Sequence, residues 1–418
     1  MDERTGFIFL LALPVALLIT GLMIEPLGES MGGLLRIITA RSLLLNDYLA
    51  VGGFGATLIN AGLCGLISIA LIKLSGVAVN GPFIAAVYTV IGFAFFGKNI
   101  YNIWPILAGV FVYTRVQGIP YRNSLLVALF GTTLGPLVSF FSFVSVLQGP
   151  VGVLVGIALG VLVGFVLPPL ASHMLRFHDG YNIYNIGFTG GIVGSFFVAV
   201  FRSFDLIVEP ETMLFEHTTR FFEIYFVVVF LVLIGLGVLL SRSDLAELFG
   251  AWKRIFASTG RLVSDFVQIG DFASSLVNMG VMGLISTVFV VVLGGEFNGP
   301  VIGGVLTVVG FAAFGKHPRN TVPILLGVVL ASFLTIWETT TTAVIIAGLF
   351  GTTLAPIAGQ YGPVAGLLAG FFHLSIVMNV GVLHGGINLY NNGFAGGFVA
   401  SFIVPILEAF SIGEEKKV

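Results

Sequence analysis

Gly180-Tyr181-Asn182-Ile183-Tyr184-Asn185-Ile186-Gly187-Phe188-Thr189-Gly190-Gly191 returns later in the chain as Gly386-Ile387-Asn388-Leu389-Tyr390-Asn391-Asn392-Gly393-Phe394-Ala395-Gly396-Gly397, each copy preceded by a histidine, His178 or His384. Two such stretches in one order make internal repetition the first property to test. Upstream, Leu129-Phe130-Gly131-Thr132-Thr133-Leu134 matches Leu349-Phe350-Gly351-Thr352-Thr353-Leu354. Further upstream, Asn80-Gly81-Pro82 matches Asn298-Gly299-Pro300 at an offset of 298 − 80 = 218. The same offset aligns Gly97-Lys98 with Gly315-Lys316 and Asp47 with Asp265. It also brings Ala56 to Ser68 onto Ser274 to Ser286 with seven identities in thirteen. The order of motifs never changes, so the chain reads as two homologous units, residues 1–212 and 213–418.

The solvent of those units follows from composition. Of 418 residues 57% are hydrophobic and 9% charged, far from the roughly 25% charged of a soluble domain. Apolar runs near the roughly 20 residues of a spanning helix recur, as at Phe7 to Ile24, Val151 to Leu170 and Phe222 to Leu240. The chain is expected to be an all-α polytopic membrane protein whose first partner is the lipid bilayer. Its first apolar run is followed by Glu25-Pro26 without a small-residue cleavage site and reads as a retained helix. The net charge is −2 and Lys and Arg are scattered, which points away from nucleic acid. The single cysteine, Cys64, offers neither a disulfide framework nor a thiolate metal site, and no metal or cofactor is expected.

The first unit holds seven apolar segments, near residues 7–25, 49–74, 82–97, 103–116, 122–145, 150–174 and 183–202. The third and fourth are short and read as half-helices or a re-entrant hairpin. Either way the number of crossings is odd, which forces the second unit into inverted topology. Loop charges agree under the positive-inside rule. Arg242, Lys253, Arg254 and Arg261 outnumber their counterparts Arg36 and Arg41, whereas Arg115 and Arg122 correspond to a stretch around Glu338 without Lys or Arg. The connector with Glu209, Glu211 and Glu216 is then external. Met1 to Arg4 and Lys416-Lys417 are cytoplasmic, as expected for a protein of the cell (inner) membrane.

Polar residues kept in both units mark where a pathway is to be sought, because an unsatisfied polar group in hydrocarbon costs several kcal/mol. The opening pair reads as an unwound segment leading into a half-helix, whose N–H groups could hold a solute. Asn182, Tyr184, Asn185, Asn388, Tyr390, Asn391, His178 and His384 are its candidate binding residues, against the blander reading of close helix packing with Tyr and His at the membrane interface. Thr132, Thr133, Thr352 and Thr353 line a cavity or repair carbonyls freed by Pro136 and Pro356, the second reading slightly favoured. Asn60 and Asn278 are site residues or interhelical bonding partners on equal terms. Lys98 and Lys316 could select charge, although a lysine ending an apolar run more often snorkels to the headgroups. Asp47 and Asp265 are the shared acids through which a coupling ion, Na+ or H+, could act. No Walker, His-Glu-x-x-His or Gly-x-Ser-x-Gly sequence is present, so no enzymatic activity is expected.

The paired Phe-Gly-Lys, Phe-Gly-Thr-Thr and Tyr-Asn-x-Gly-Phe-x-Gly-Gly elements resemble those of a prokaryotic family of membrane proteins of unknown function, over the whole chain. The inverted seven-plus-seven arrangement is similar in architecture to nucleobase and anion transporters of the uracil-permease type, and the glycine run faintly resembles that of urea transporters. Inverted duplication suits a secondary transporter with a midplane site, and because shared cationic and amide groups outnumber shared acids, the expected solute is small and polar, neutral or anionic. A passive channel is the second expectation and a membrane enzyme the third; a homodimer is compatible with all three.

Overall fold

The computed structural model describes residues 3–147, 149–215, 220–241 and 244–415, with side chains of the last stretch as far as residue 410. Of the groups weighed for orientation, Met1, Glu216, Arg242, Lys416 and Lys417 lie outside these residues. The first half contains α1 (Glu3–Ile24), α2 (Leu27–Thr39), α3 (Phe54–Leu74), α4 (Gly81–Phe93), α5 (Ile103–Val116), α6 (Leu125–Phe143), α7 (Gly149–Leu175) and α8 (Asn185–Ser203). The second repeats the order with α9 (Arg220–Leu240), α10 (Leu245–Ala257), α11 (Phe272–Val292), α12 (Gly299–Phe311), α13 (Pro318–Leu334), α14 (Thr342–Tyr361), α15 (Pro363–Val380) and α16 (Asn391–Glu415). No strand occurs among the described residues, only isolated bridges such as Asp47–Phe96 and Asp265–Phe314.

This is an all-helical, multi-pass membrane protein. Among the described residues ten helices, α1, α3, α6, α7 and α8 with α9, α11, α14, α15 and α16, are long and apolar enough to cross a bilayer. The 13 residues of α4 and of α12 rise only about 20 Å, short of the roughly 30 Å hydrocarbon core. Each starts at an asparagine whose side chain accepts the N–H of the third helical residue, Asn80 from Phe83 and Asn298 from Val301, both at 3.1 Å. A proline follows at the first turn, where its missing N–H costs nothing.

Three details differ from expectation. The run at 49–74 breaks at Gly53, whose φ of 90° is open to glycine, into a turn Tyr48–Gly52 and α3. Helices α2 and α10 were not anticipated. They bury Leu34 and Ile37, or Leu248 and Ile255, and leave Met31 and Leu35, or Leu245 and Phe249, exposed, the form of a helix lying along a membrane interface. The opening Gly/Asn/Tyr stretches lead into α8 and α16, which are of spanning length and not half-helices.

The two halves meet through matched helices running antiparallel. Gly81, at the start of α4, sits against the Ala313 carbonyl just past α12, and Gly299, at the start of α12, against the Phe95 carbonyl just past α4. Midway, a Cβ on Gly92 would stand 2.9 Å from the Gly303 carbonyl oxygen, so only glycine lets these backbones approach. Helices α8 and α16 cross in the same manner at Gly187 and Gly393, where a Cβ on either would come within 3.1 Å of the other Cα. The first-half sides of both contacts are thus mirrored in sequence order by the second-half sides.

Candidate functional site

Beyond each short helix the chain turns on Gly97 or Gly315, at φ of 84° and 103°, and presents a lysine. The turn is tied down by asparagine. Asn60 on α3 donates to the Ala94 and Lys98 carbonyls at 2.8 and 2.9 Å and accepts from Ile100 N. Asn278 on α11 donates to the Ala312 and Lys316 carbonyls at 2.7 and 2.8 Å. Asn102 and Asn320 close the turn from inside by donating to the Gly97 and Gly315 carbonyls, each at 2.9 Å.

Both lysines are fully buried. Lys98 donates to the Tyr390 hydroxyl at 2.6 Å, and Lys316 to the hydroxyls of Tyr184 and, at 2.6 Å, Thr352. The bonds to tyrosine cross between the halves. Each ammonium also stands over its tyrosine ring, at 4.6 Å for Lys98 and 4.5 Å for Lys316. Among the described residues neither has a carboxylate within ion-pair distance; the pair Arg41–Glu211, at 3.4 Å, is at the surface.

The tyrosines are placed by the unwound segments ahead of α8 and α16, which are held by the opposite half. Thr353 accepts the Tyr184 N–H at 3.0 Å and its carbonyl accepts Ile183 N at 3.1 Å; Thr133 does the same for Tyr390 N at 2.9 Å and Leu389 N at 3.1 Å. Asn182 then donates to the Gly393 carbonyl at 2.9 Å and Asn388 to the Gly187 carbonyl at 3.1 Å. Farther out, Leu262 N donates to the Gly180 carbonyl and Leu44 N to the Gly386 carbonyl.

Between these segments and the paired short helices lies a cavity of about 140 Å³. Its wall is built from matched residues: Phe93 with Phe311, Phe130 with Phe350, Tyr184 with Tyr390, Thr89 with Thr307 and Ile186 with Asn392. At one end the lining continues to Leu126, Asn185 and Leu262. A second cavity, of about 490 Å³, lies where the repeat predicts the opposite end, along Leu44, Ile346 and Asn391, and Asn392 borders both.

The family model described as Protein of unknown function (DUF1576) matches residues 27–203 and again residues 245–409. The chain belongs to this family. Each match begins at the interfacial helix, α2 or α10, and together the two contain every residue that lines the central cavity. No curated protein and no solved structure matches the chain.

Against this geometry the two family units place the expected residues unequally. Tyr184, Asn185 and Tyr390 line the central cavity, and Asn391 the outer one. Asn182, Asn388, Thr133 and Thr353 clasp backbone from the other half, while Thr132 and Thr352 donate to the carbonyls of Leu129 and Leu349, a turn before those that Pro136 and Pro356 free. The N–H groups of residues 183–184 and 389–390, expected to face a solute, are taken up by threonine. His178 and His384 are buried, not interfacial, and bond Asn185 at 3.0 Å and Asn391 at 2.9 Å. Asn60 and Asn278 are bonding partners within the frame. Lys98 and Lys316 do not snorkel, because their turns are pinned inward and a phenol receives each amine. Asp47 accepts from Leu49, Phe215 and Gly299 N, and Asp265 from Gly81 and Val267 N. Each aspartate therefore caps the short helix of the other half, where a carboxylate favours the exposed N–H groups. The phenylalanine wall and Asn392 were missed, since aromatic residues in an apolar chain read as core and the single Ile-to-Asn difference sits inside a shared motif.

Proposed function

We propose that this protein is a secondary transporter of a small polar solute, neutral or anionic, working by alternating access at the cavity between its halves. The observation that carries this reading is the cavity itself, lined by matched residues of two homologous units whose matched helices run antiparallel around it. Such an arrangement lets the halves exchange shapes about one midplane site. Five long helices and one short pair per half give an odd number of crossings, which supports inverted topology. Leu126, Asn185 and Leu262 lie toward the end bearing Arg122, Arg254 and Arg261, which the positive-inside rule makes cytoplasmic. Both termini are then cytoplasmic, and the reading puts the chain in the cell membrane.

In this account Asp47 and Asp265 hold the frame, and any coupling ion, Na+ or H+, acts through the moving halves. The test is counterflow: vesicles containing the purified protein and preloaded with unlabelled solute should transiently accumulate labelled solute above its external concentration. Saturable counterflow supports a transporter. Flux without saturation or counterflow would instead identify a passive channel, and chemical turnover of the solute an enzyme.

A further inference from the structure

The cavity is built on a repeat, yet two of its matched pairs differ in the hydrogen-bonding groups they leave free. Asn392 holds His373 Nε2 through its Oδ1 at 3.0 Å, and its Nδ2 donates to nothing among the described residues. His373 is fully buried, and its ring faces Gly351 as the Leu167 side chain faces Gly131. The first half thus carries Leu167 and Ile186 where the second carries His373 and Asn392. The threonines diverge too. Thr307 Oγ1 donates to the Gly303 carbonyl at 2.7 Å, whereas Thr89 Oγ1, on a residue 2% exposed, has no hydrogen-bond partner among the described residues.

The Thr89 hydroxyl left unpaired in a buried wall carries a desolvation cost that a bound acceptor would remove, and the Asn392 amide N–H offers a second donor beside the cavity. Phenylalanine rings stand around them, and behind the lining tyrosines the buried amines of Lys98 and Lys316 have no carboxylate partner among the described residues, which favours an anion. A cavity of about 140 Å³ is close to the roughly 150 Å³ at which an apolar pocket admits benzene.

Resting on the transport reading, we infer that the solute is a small monocarboxylate with an apolar body. Its oxygens accept from Asn392 Nδ2 and Thr89 Oγ1, and its body lies among Phe93, Phe130, Phe311 and Phe350. His373 is a positioning residue that fixes which half of the Asn392 amide faces the cavity.

The experiment is titration of the purified full chain with benzoate and, as the uncharged isostere, benzamide. Three forms are compared: wild type, the double variant H373L/N392I, and T89V. The double variant copies a pair the first half already accommodates, and T89V removes a hydroxyl that no protein group uses, so both should fold. Wild type should bind benzoate at least about ten-fold more tightly than benzamide, and each variant should weaken benzoate about ten-fold or more while leaving benzamide within about three-fold. Equal affinity for the two probes, no binding of either by wild type, or unchanged benzoate affinity in both variants would overturn the assignment. Counterflow of a different solute by the same preparation would leave the transport reading standing and remove the carboxylate alone.

Discussion

The turns that present Lys98 and Lys316 and the walls that carry Ile186 and Asn392 come from the same two repeats, yet the first pair is matched almost atom for atom and the second is not. Asn60 and Asn278 make the same two bonds to carbonyls, Gly97 and Gly315 make the same left-handed turn, and each lysine reaches a tyrosine of the other half. Frame residues are matched because each half must close the other. Residues that face only the cavity are released from that constraint and can diverge to fit a ligand without two-fold symmetry.

If the frame is symmetric in energy as well as geometry, matched substitutions should do matched damage. The largest effect is expected for the matched pair G92L and G310L, which drive a side chain into the facing helix at Gly303 of α12 or at Ala85 and Tyr88 of α4. Each should cost about 3 kcal/mol or more, enough to lose the folded monodisperse protein in size-exclusion chromatography. A well-folded G310L beside a lost G92L would break the comparison. Next come N60A and N278A, each leaving carbonyls of a lysine turn unpaired, at about 2–3 kcal/mol in thermal or denaturant unfolding. Smaller again are D47N and D265N, each weakening a charged cap by about 1–2 kcal/mol. The smallest stability change, within about 1 kcal/mol, belongs to T89V, because the hydroxyl removed has no protein partner. A loss above about 2 kcal/mol there would place Thr89 in the frame.

For transport the lysines sharpen the same contrast. K98Q and K316Q should each reduce solute uptake about ten-fold or more while leaving the folded protein in place, since neither amine holds a carboxylate. Uptake unchanged in both variants would make the amines part of the packing.

Much of this was legible in the sequence because duplication supplied an internal control. The repeat located Lys98, Asn60, Thr133 and Tyr184 without knowledge of their contacts, and segment lengths marked α4 and α5 as short beside the other runs. What stayed hidden was partnership. Nothing in Asp47 announces that its carboxylate caps Gly299, 252 residues away, and nothing local tells a snorkelling lysine from one received by a distant phenol. Helices α2 and α10 were hidden for another reason: their alternating polar and apolar faces fall below the hydrophobicity that marks a span. His373 and Asn392 escaped because attention to shared residues passes over the places where two copies part.

Everything above depends on the halves entering the bilayer from opposite faces. In a Cys64→Ala background, which removes the one buried native thiol, cysteines placed singly at Arg122 and Glu338 should react with a membrane-impermeant maleimide from opposite sides, Arg122 from the cytoplasm and Glu338 from outside. Labelling of both from the same side would contradict the account.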